Sequence, residues 1–179
     1  MPSVRQRLYI AYGSNLHPRR LEARIGSVGL VGAVELPGWR LRFEKRGGDG
    51  SSKANLHACP GSGFAARAAV FALSPDQVRK LDVFEGCGHG YETVPFTIDL
   101  HGKQCQAFSY TAPLQWTTRT LRPFDWYVDV IVSGALHHGF DESYIQQIAR
   151  QPVREDPDHE RARKELREMN LPLRSHYKR

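Results

Sequence analysis

Leu8-Tyr9-Ile10-Ala11-Tyr12-Gly13-Ser14-Asn15-Leu16 is the stretch on which the fold reading turns. Its first four residues are apolar strand formers, and they deliver the backbone into Gly-Ser-Asn, residue types suited to tight turns. We read residues 7–12 as a strand that ends in a sharp loop. A loop of this kind can leave successive backbone N–H groups facing one space, which makes a nest for an anionic oxygen.

Working outward, His17-Pro18-Arg19-Arg20-Leu21 follows the loop, and Pro18 suits the first turn of a short helix reaching Arg24. Val28–Val34 and Trp39–Phe43 read as strands joined by the turn Leu36-Pro37-Gly38. Gly47-Gly48-Asp49-Gly50-Ser51-Ser52 lacks the spacing of a phosphate-binding P-loop and reads as a surface connection. Ala54–Cys59 and Ala66–Leu73 are two more strands. Ser74-Pro75-Asp76-Gln77 then opens a helix, with Ser as N-cap, Pro at the first helical position and Gln three residues after the cap. On that helix Val78, Leu81 and Phe84 are expected to be the buried face.

Gly86, Gly88 and Gly90 end the helix. Tyr91–Leu100 and Gln104–Tyr110 alternate polar and apolar residues around His101-Gly102-Lys103, as a hairpin does. Pro123–His138 reads as a helix with an apolar stripe of Trp126, Val130, Ile131 and Leu136, and Asp141 caps a shorter one. After Pro152 the chain becomes charged. Residues 157–170 are expected to form an exposed helix, and the last nine residues to order little. Strands early, a helix in the middle, a hairpin and then helices indicate an α+β fold. The expected organisation is one domain over residues 1–152 and a charged helix and tail over 153–179.

Composition narrows the function. At 179 residues, with 40% apolar and 25% charged content, the chain suits one globular core. No apolar run approaches the roughly 18 residues of a membrane span, and the N-terminus does not read as a secretory signal. Cys59, Cys87 and Cys105 are odd in number and widely spaced, which fits reduced thiols in a cytoplasmic protein. The net charge of +6 raises the question of nucleic acid. Residues 157–179 carry half of that surplus, but with seven Lys or Arg interleaved among four Asp or Glu. No zinc spacing, basic heptad or aromatic RNA-binding signature accompanies them, so a solvated surface is expected and nucleic acid is not.

Glu85, in Leu81-Asp82-Val83-Phe84-Glu85-Gly86, sits at a helix C-terminus, where the macrodipole disfavours negative charge. The residues alone leave two readings: an exposed helix-end acid, or a carboxylate at the rim of a partly apolar pocket that acts as acid and base. Neighbouring histidines invite a metal reading. His137 and His138 are adjacent and face different sides of a helix, and no carboxylate sits at ligand spacing, so no metal is expected. Cys87 with His89 is a poor nucleophile pair, because an i, i+2 spacing seldom gives the mutual geometry.

Tyr12-Gly13-Ser14-Asn15-Leu16 together with Leu81-Asp82-x-x-Glu85-Gly86 and Tyr91 resembles the γ-glutamylcyclotransferase family, including its AIG2-like members. A third segment, from Tyr127 through Ile131, Gly134-Ala135 and Gly139-Phe140 to Tyr144, is similar to the family's downstream block. The resemblance runs from about Leu8 to Ala149. It implies a small closed or nearly closed mixed β-barrel flanked by helices and a reaction without metal or cofactor. In that reaction the substrate's own α-amino group attacks its γ-carbonyl, giving 5-oxoproline and a free amine or amino acid. It also implies Glu85 as the catalytic acid and base. The expected substrate-binding residues are Tyr12, Gly13, Ser14, Asn15 and Leu16, with Tyr91 and Tyr127 lining the pocket. The partner expected is a small γ-glutamyl compound, not a membrane or a nucleic acid. Asn15 argues against the glutathione-specific subgroup, and Cys87-Gly88-His89-Gly90 departs from many members where the leaving group would lie. A non-catalytic ligand-binding module is the alternative.

Overall fold

The structure is a computed structural model and describes residues 6–178. Seven strands and five α-helices follow in the order β1 (Arg7–Ala11), α1 (Pro18–Ile25), β2 (Gly29–Pro37), β3 (Trp39–Arg46), β4 (Ser52–Ala58), β5 (Ala65–Leu73), α2 (Pro75–Glu85), β6 (Glu92–Leu100), β7 (Lys103–Thr111), α3 (Asp125–His137), α4 (Glu142–Ala149) and α5 (His159–Glu168). Five strands form one mixed sheet in the order β2-β5-β1-β7-β6, and β3 with β4 forms a separate two-stranded hairpin. β1 lies at the centre, antiparallel to β5 and parallel to β7. Burial explains that position: Tyr9, Ile10 and Ala11 are all within the core.

The sheet curls into a half-barrel. Its edge strands β2 and β6 approach each other, and a Cβ at Gly32 would stand 3.7 Å from Leu100 and 3.5 Å from the His101 ring. Among the described residues no ladder joins those two edges. The β3–β4 hairpin leans over the open side. Asn55 of β4 ties it to the chain after β7 by accepting from the Ala112 amide at 2.7 Å and donating to the Ala112 carbonyl at 3.3 Å.

Helix α2 forms where the cap signals place it. Ser74 and Gln77 exchange both bonds of a capping box, and Gly86 ends the helix in the left-handed conformation at φ 60°. The Cys87 amide donates to Asp82 and the Gly86 amide to Val83, the paired bonds of a Schellman end. Phe84 corrects the expected buried face, since 57% of it is exposed while Val78 and Leu81 are buried. Residues spaced by three drift about 60° per step around a helix of 3.6 residues per turn. By Phe84 the stripe has turned roughly 120° from Val78, whereas Glu85, seven residues on, returns to within about 20° of it. Leu136 of α3 also leaves its expected stripe, at 61% exposure, because ten residues on from Trp126 it has turned about 80° from it.

The C-terminal segment also departs from the expectation of an exposed helix and a poorly ordered tail. Ala162 and Leu166 of α5 are fully buried, Met169 nearly so, and Tyr177 is among the largest fully buried side chains. The Tyr177 hydroxyl donates to Asp125 at 2.5 Å and accepts from the Asp156 amide at 2.9 Å. Arg174 forks onto Asp129 of α3 through two bonds of 2.7 and 2.6 Å. These residues belong to the same core as the sheet.

Candidate active site

The loop after β1 makes a single 3-10 turn over Ser14–Leu16, closed by the Leu16 amide donating to the Gly13 carbonyl at 2.9 Å. No residue from Tyr12 to Leu16 takes a positive φ. Glycine is needed at position 13 for another reason: a Cβ there would lie 3.0 Å from the Ala54 Cβ and 3.9 Å from the Tyr127 hydroxyl. The backbone N–H groups of Gly13, Ser14 and Asn15 donate to no protein acceptor among the described residues. That leaves three backbone donors unspent beside one small space.

Glu85 reaches that space from the end of α2. The space is a cavity of about 30 Å3 lined by Tyr9, Tyr12, Gly13, Ser14, Asn15, Ala54, Glu85, Tyr91, Tyr110 and Tyr127. Asn15 Nδ2 donates to Glu85 Oε1 at 2.7 Å and to the Tyr9 hydroxyl at 3.1 Å. The other end of the same amide, Oδ1, accepts from Arg24 Nη1 at 2.7 Å, and that guanidinium stands 3.8 Å from Glu85. Asn15 is thus a relay, orienting the carboxylate on one side and holding a cation on the other.

Burial pushes the Glu85 carboxyl above the usual carboxylate range, and the Arg24 cation, the Asn15 amide and Lys45 pull back toward ionisation. The side chain is only 14% exposed. A carboxyl whose proton affinity is raised by burial is suited to taking and returning a proton.

The tyrosines divide by what their hydroxyls already do. Tyr12 donates to the Tyr110 carbonyl and Tyr91 to the Ala54 carbonyl, each at 2.6 Å. Tyr110 donates to Asp82 at 2.5 Å, which anchors the helix that carries Glu85. Tyr127 instead accepts from the Ala54 amide at 3.1 Å, so its own proton has no protein acceptor among the described residues. Tyr91 and Tyr127 thereby hold both polar atoms of one β4 peptide position. Burial drives the hydroxyls of Tyr9, Tyr12, Tyr91 and Tyr127 upward, so all four stay protonated donors at neutral pH.

Of the residues singled out in the sequence, Tyr12, Gly13, Ser14, Asn15, Glu85, Tyr91 and Tyr127 meet at the cavity. Leu16 does not. Its side chain is fully buried beneath α3, where a Cβ at Gly134 would come within 2.9 Å of it, so it packs the loop down rather than lining the space. Tyr9, Arg24, Ala54 and Tyr110 were missed. Tyr9 and Tyr110 read as ordinary strand residues, and Arg24 is one of several charges on a short helix. The histidine pairs are structural: His138 Nε2 bonds the Leu16 carbonyl at 2.7 Å and the His17 and His137 rings lie 4.7 Å apart. Among the described residues no group of His, Cys, Asp and Glu is arranged to hold a metal ion.

The cavity opens outward through Ser14, Glu85, Tyr91 and Tyr127 into a polar basin of about 280 Å3. Arg20, Arg24, Lys45, Lys53 and Arg161 line it, with Asp49, Glu165, Phe84 and Trp126 among its other walls. At about 30 Å3 the inner cavity holds one or two waters, whereas the basin admits a small organic molecule.

Residues 67–148 match the model of the AIG2-like family. Among solved structures, the chain is similar in fold to a protein described as gamma-glutamyl cyclotransferase, with a TM-score of 0.76 over 89% of this chain and 99% of that one, at 20% identity. The uncharacterized protein loc79017 from Homo sapiens gives a TM-score of 0.73 over 84% of this chain and 90% of that one, at 22% identity. YkqA from Bacillus subtilis gives 0.64 at 16% identity, over 83% of this chain and 56% of that one. No curated protein matches the chain in sequence. The AIG2-like family model thus matches β5 to α4, and the fold is similar to that of a gamma-glutamyl cyclotransferase over most of the chain.

Proposed function

We propose that this chain is a cofactor-independent cyclotransferase that converts a γ-glutamyl compound into 5-oxoproline and a free amine or amino acid. One observation carries the reading. A partly desolvated carboxyl from mid-chain, Glu85, is hydrogen-bonded at 2.7 Å to Asn15 of the first loop, in one cavity with three unspent backbone donors. The resemblance to gamma-glutamyl cyclotransferase in fold supports it.

The reaction has three demands, and the residues meet each. The substrate's α-ammonium must lose a proton; ionised Glu85 accepts it. The freed nitrogen attacks the γ-carbonyl carbon, and the carbonyl electron pair moves onto oxygen. Because nucleophile and electrophile belong to one molecule, holding the chain folded supplies much of the rate enhancement. The oxyanion then needs donors, which Gly13, Ser14, Asn15 and the free Tyr127 hydroxyl offer within the narrow cavity. Finally Glu85 returns its proton to the departing nitrogen, the oxyanion pair re-forms the carbonyl as the C–N bond breaks, and Glu85 takes the second proton from the ring nitrogen and passes it to the released amine, so no water is consumed. The inner cavity takes the oxygen that gains charge, and the glutamyl body extends through the Ser14–Glu85 mouth into the basin.

The test is to incubate purified protein with a panel of γ-glutamyl amino acids, amines and isopeptides and to measure 5-oxoproline. The expected result is turnover of at least one compound by the wild type and its loss in Glu85→Gln. Undiminished turnover by Glu85→Gln would remove that residue from its role. A protein that binds γ-glutamyl compounds but turns none over would be a ligand-binding module on the same fold.

A further inference from the structure

One tyrosine of the inner cavity has no task in this scheme. Tyr12, Tyr91 and Tyr110 each donate to a protein acceptor, and Tyr127 already offers its proton to the oxyanion. Tyr9 remains. Its hydroxyl oxygen accepts from Asn15 Nδ2 at 3.1 Å, and that nitrogen gives its other hydrogen to Glu85 Oε1 at 2.7 Å. Both amide hydrogens are thereby spent, and an amide nitrogen cannot accept in return. The Tyr9 proton therefore has no protein acceptor among the described residues.

The ring is held in place. Tyr9 is 4% exposed, and its ring centroid lies 5.5 Å from that of Phe108 and 5.8 Å from that of Tyr110. A buried hydroxyl that accepts without donating is half satisfied, and the space it lines is where its proton can find an acceptor. Accepting from Asn15 also makes Tyr9 a stronger donor, because hydrogen bonds in a chain polarise one another. Tyr127 lines both the cavity and the basin, whereas Tyr9 lines the cavity and not the basin, so it stands away from the mouth. A space that holds one or two waters leaves any entering oxygen within hydrogen-bond reach of its walls.

We propose, resting on the cyclotransferase reading, that Tyr9 is a further catalytic residue, whose hydroxyl donates to the substrate's γ-oxygen at the inner end of the cavity as that oxygen gains charge. The carbonyl electron pair moves onto oxygen when the α-nitrogen bonds to carbon, and Tyr9 holds the resulting oxyanion without giving up its proton. Burial keeps the phenol protonated for this purpose. Asn15 then serves both halves of the step, since one amide group orients the base and loads the phenol.

Tyr9→Phe keeps the ring and removes the donor. The test substrates are a γ-glutamyl compound that the wild type turns over and its γ-thioamide, which differ only in the atom the cavity receives. Sulfur is the weaker acceptor. The expected loss in Tyr9→Phe is about 10²–10³-fold in kcat for the oxygen compound, with KM little moved. The thioamide loses much less, so the oxygen-to-sulfur ratio of kcat falls by about tenfold or more. That ratio is the readout because damage to packing or to Glu85 slows both compounds alike. An unchanged ratio overturns the assignment, and an acid limb that moves upward with the ratio unchanged puts the phenol to work on Glu85 instead. Calorimetry with 2-amino-4-phosphonobutanoate, which is glutamate with a tetrahedral phosphonate in place of its γ-carboxyl, keeps the two readings apart. Affinity that falls about tenfold or more in Tyr9→Phe, without any turnover by the wild type, upholds Tyr9 as the cavity's anion donor and refutes the cyclotransferase. Turnover with both ratio and affinity unmoved by Tyr9→Phe does the reverse, and a wild type that neither turns over nor binds refutes both.

Discussion

Asn15→Ala isolates the bond that joins the two halves of the site. The substitution deletes a 2.7 Å donor to the Glu85 carboxylate and a 2.7 Å acceptor for Arg24, and leaves the guanidinium 3.8 Å away as the nearest compensating group. A hydrogen bond to an ionised group contributes about 1.5–3 kcal/mol. Because this one favours the charged carboxyl, its loss makes the base harder to ionise, and at pH values on the acid limb kcat/KM should fall by roughly 10- to 150-fold. Recovery should follow at higher pH, so the whole acid limb of the pH profile moves upward. A structural effect alone would lower the plateau and leave the limb in place. Measured kcat/KM from pH 4 to 9 decides between them: an unmoved limb with normal plateau refutes the idea that Asn15 tunes Glu85.

Three further outcomes follow from the geometry. Glu85 has a raised folded-state pKa, so its contribution to stability is full below the unfolded value and is lost as pH rises through the folded one; Glu85→Gln should therefore melt higher than wild type at pH 7 and converge with it near pH 4 by calorimetry. Gly13→Ala places a Cβ 3.0 Å from Ala54, which Tyr91 and Tyr127 hold fast, and should cost about 1–3 kcal/mol by urea unfolding together with most of the cyclotransferase rate. Tyr177→Phe leaves the buried Asp156 amide unpaired and removes a donor to Asp125, for a loss of about 1–3 kcal/mol in the same assay with the pH profile unchanged.

Local signals made the strands, the α2 cap and the loop legible, because each is decided by a few adjacent residues. The β1 run and the Ser74–Gln77 box needed only propensity and capping chemistry. Sites of contact between distant segments were not written locally: Asn15 and Glu85 are 70 positions apart, and Arg24 and Tyr9 enter the site only through the relay that forms once both have packed. The resemblance supplied what spacing could not. Phe84 lies off the buried face because two steps of three turn about 120° around a helix, and Leu136 because it stands about 80° from Trp126 and about 120° from Val130. The end of the chain was misread because its charge masked Ala162, Leu166 and Met169, whose i, i+4, i+7 spacing is an inward stripe.

That last stripe has a practical corollary for anyone trimming this protein. Glu165 and Arg161 come from α5 and help wall the basin, while Asp156 takes the indole N–H of Trp126, another wall residue, at 2.7 Å. A fragment stopped at Pro152 would strip a counter-charge from Arg20 and bare aromatic rings to solvent, so it should aggregate and bind anions indiscriminately. Residues 156–165 are thus upholstery for the chamber rather than an appendage to it.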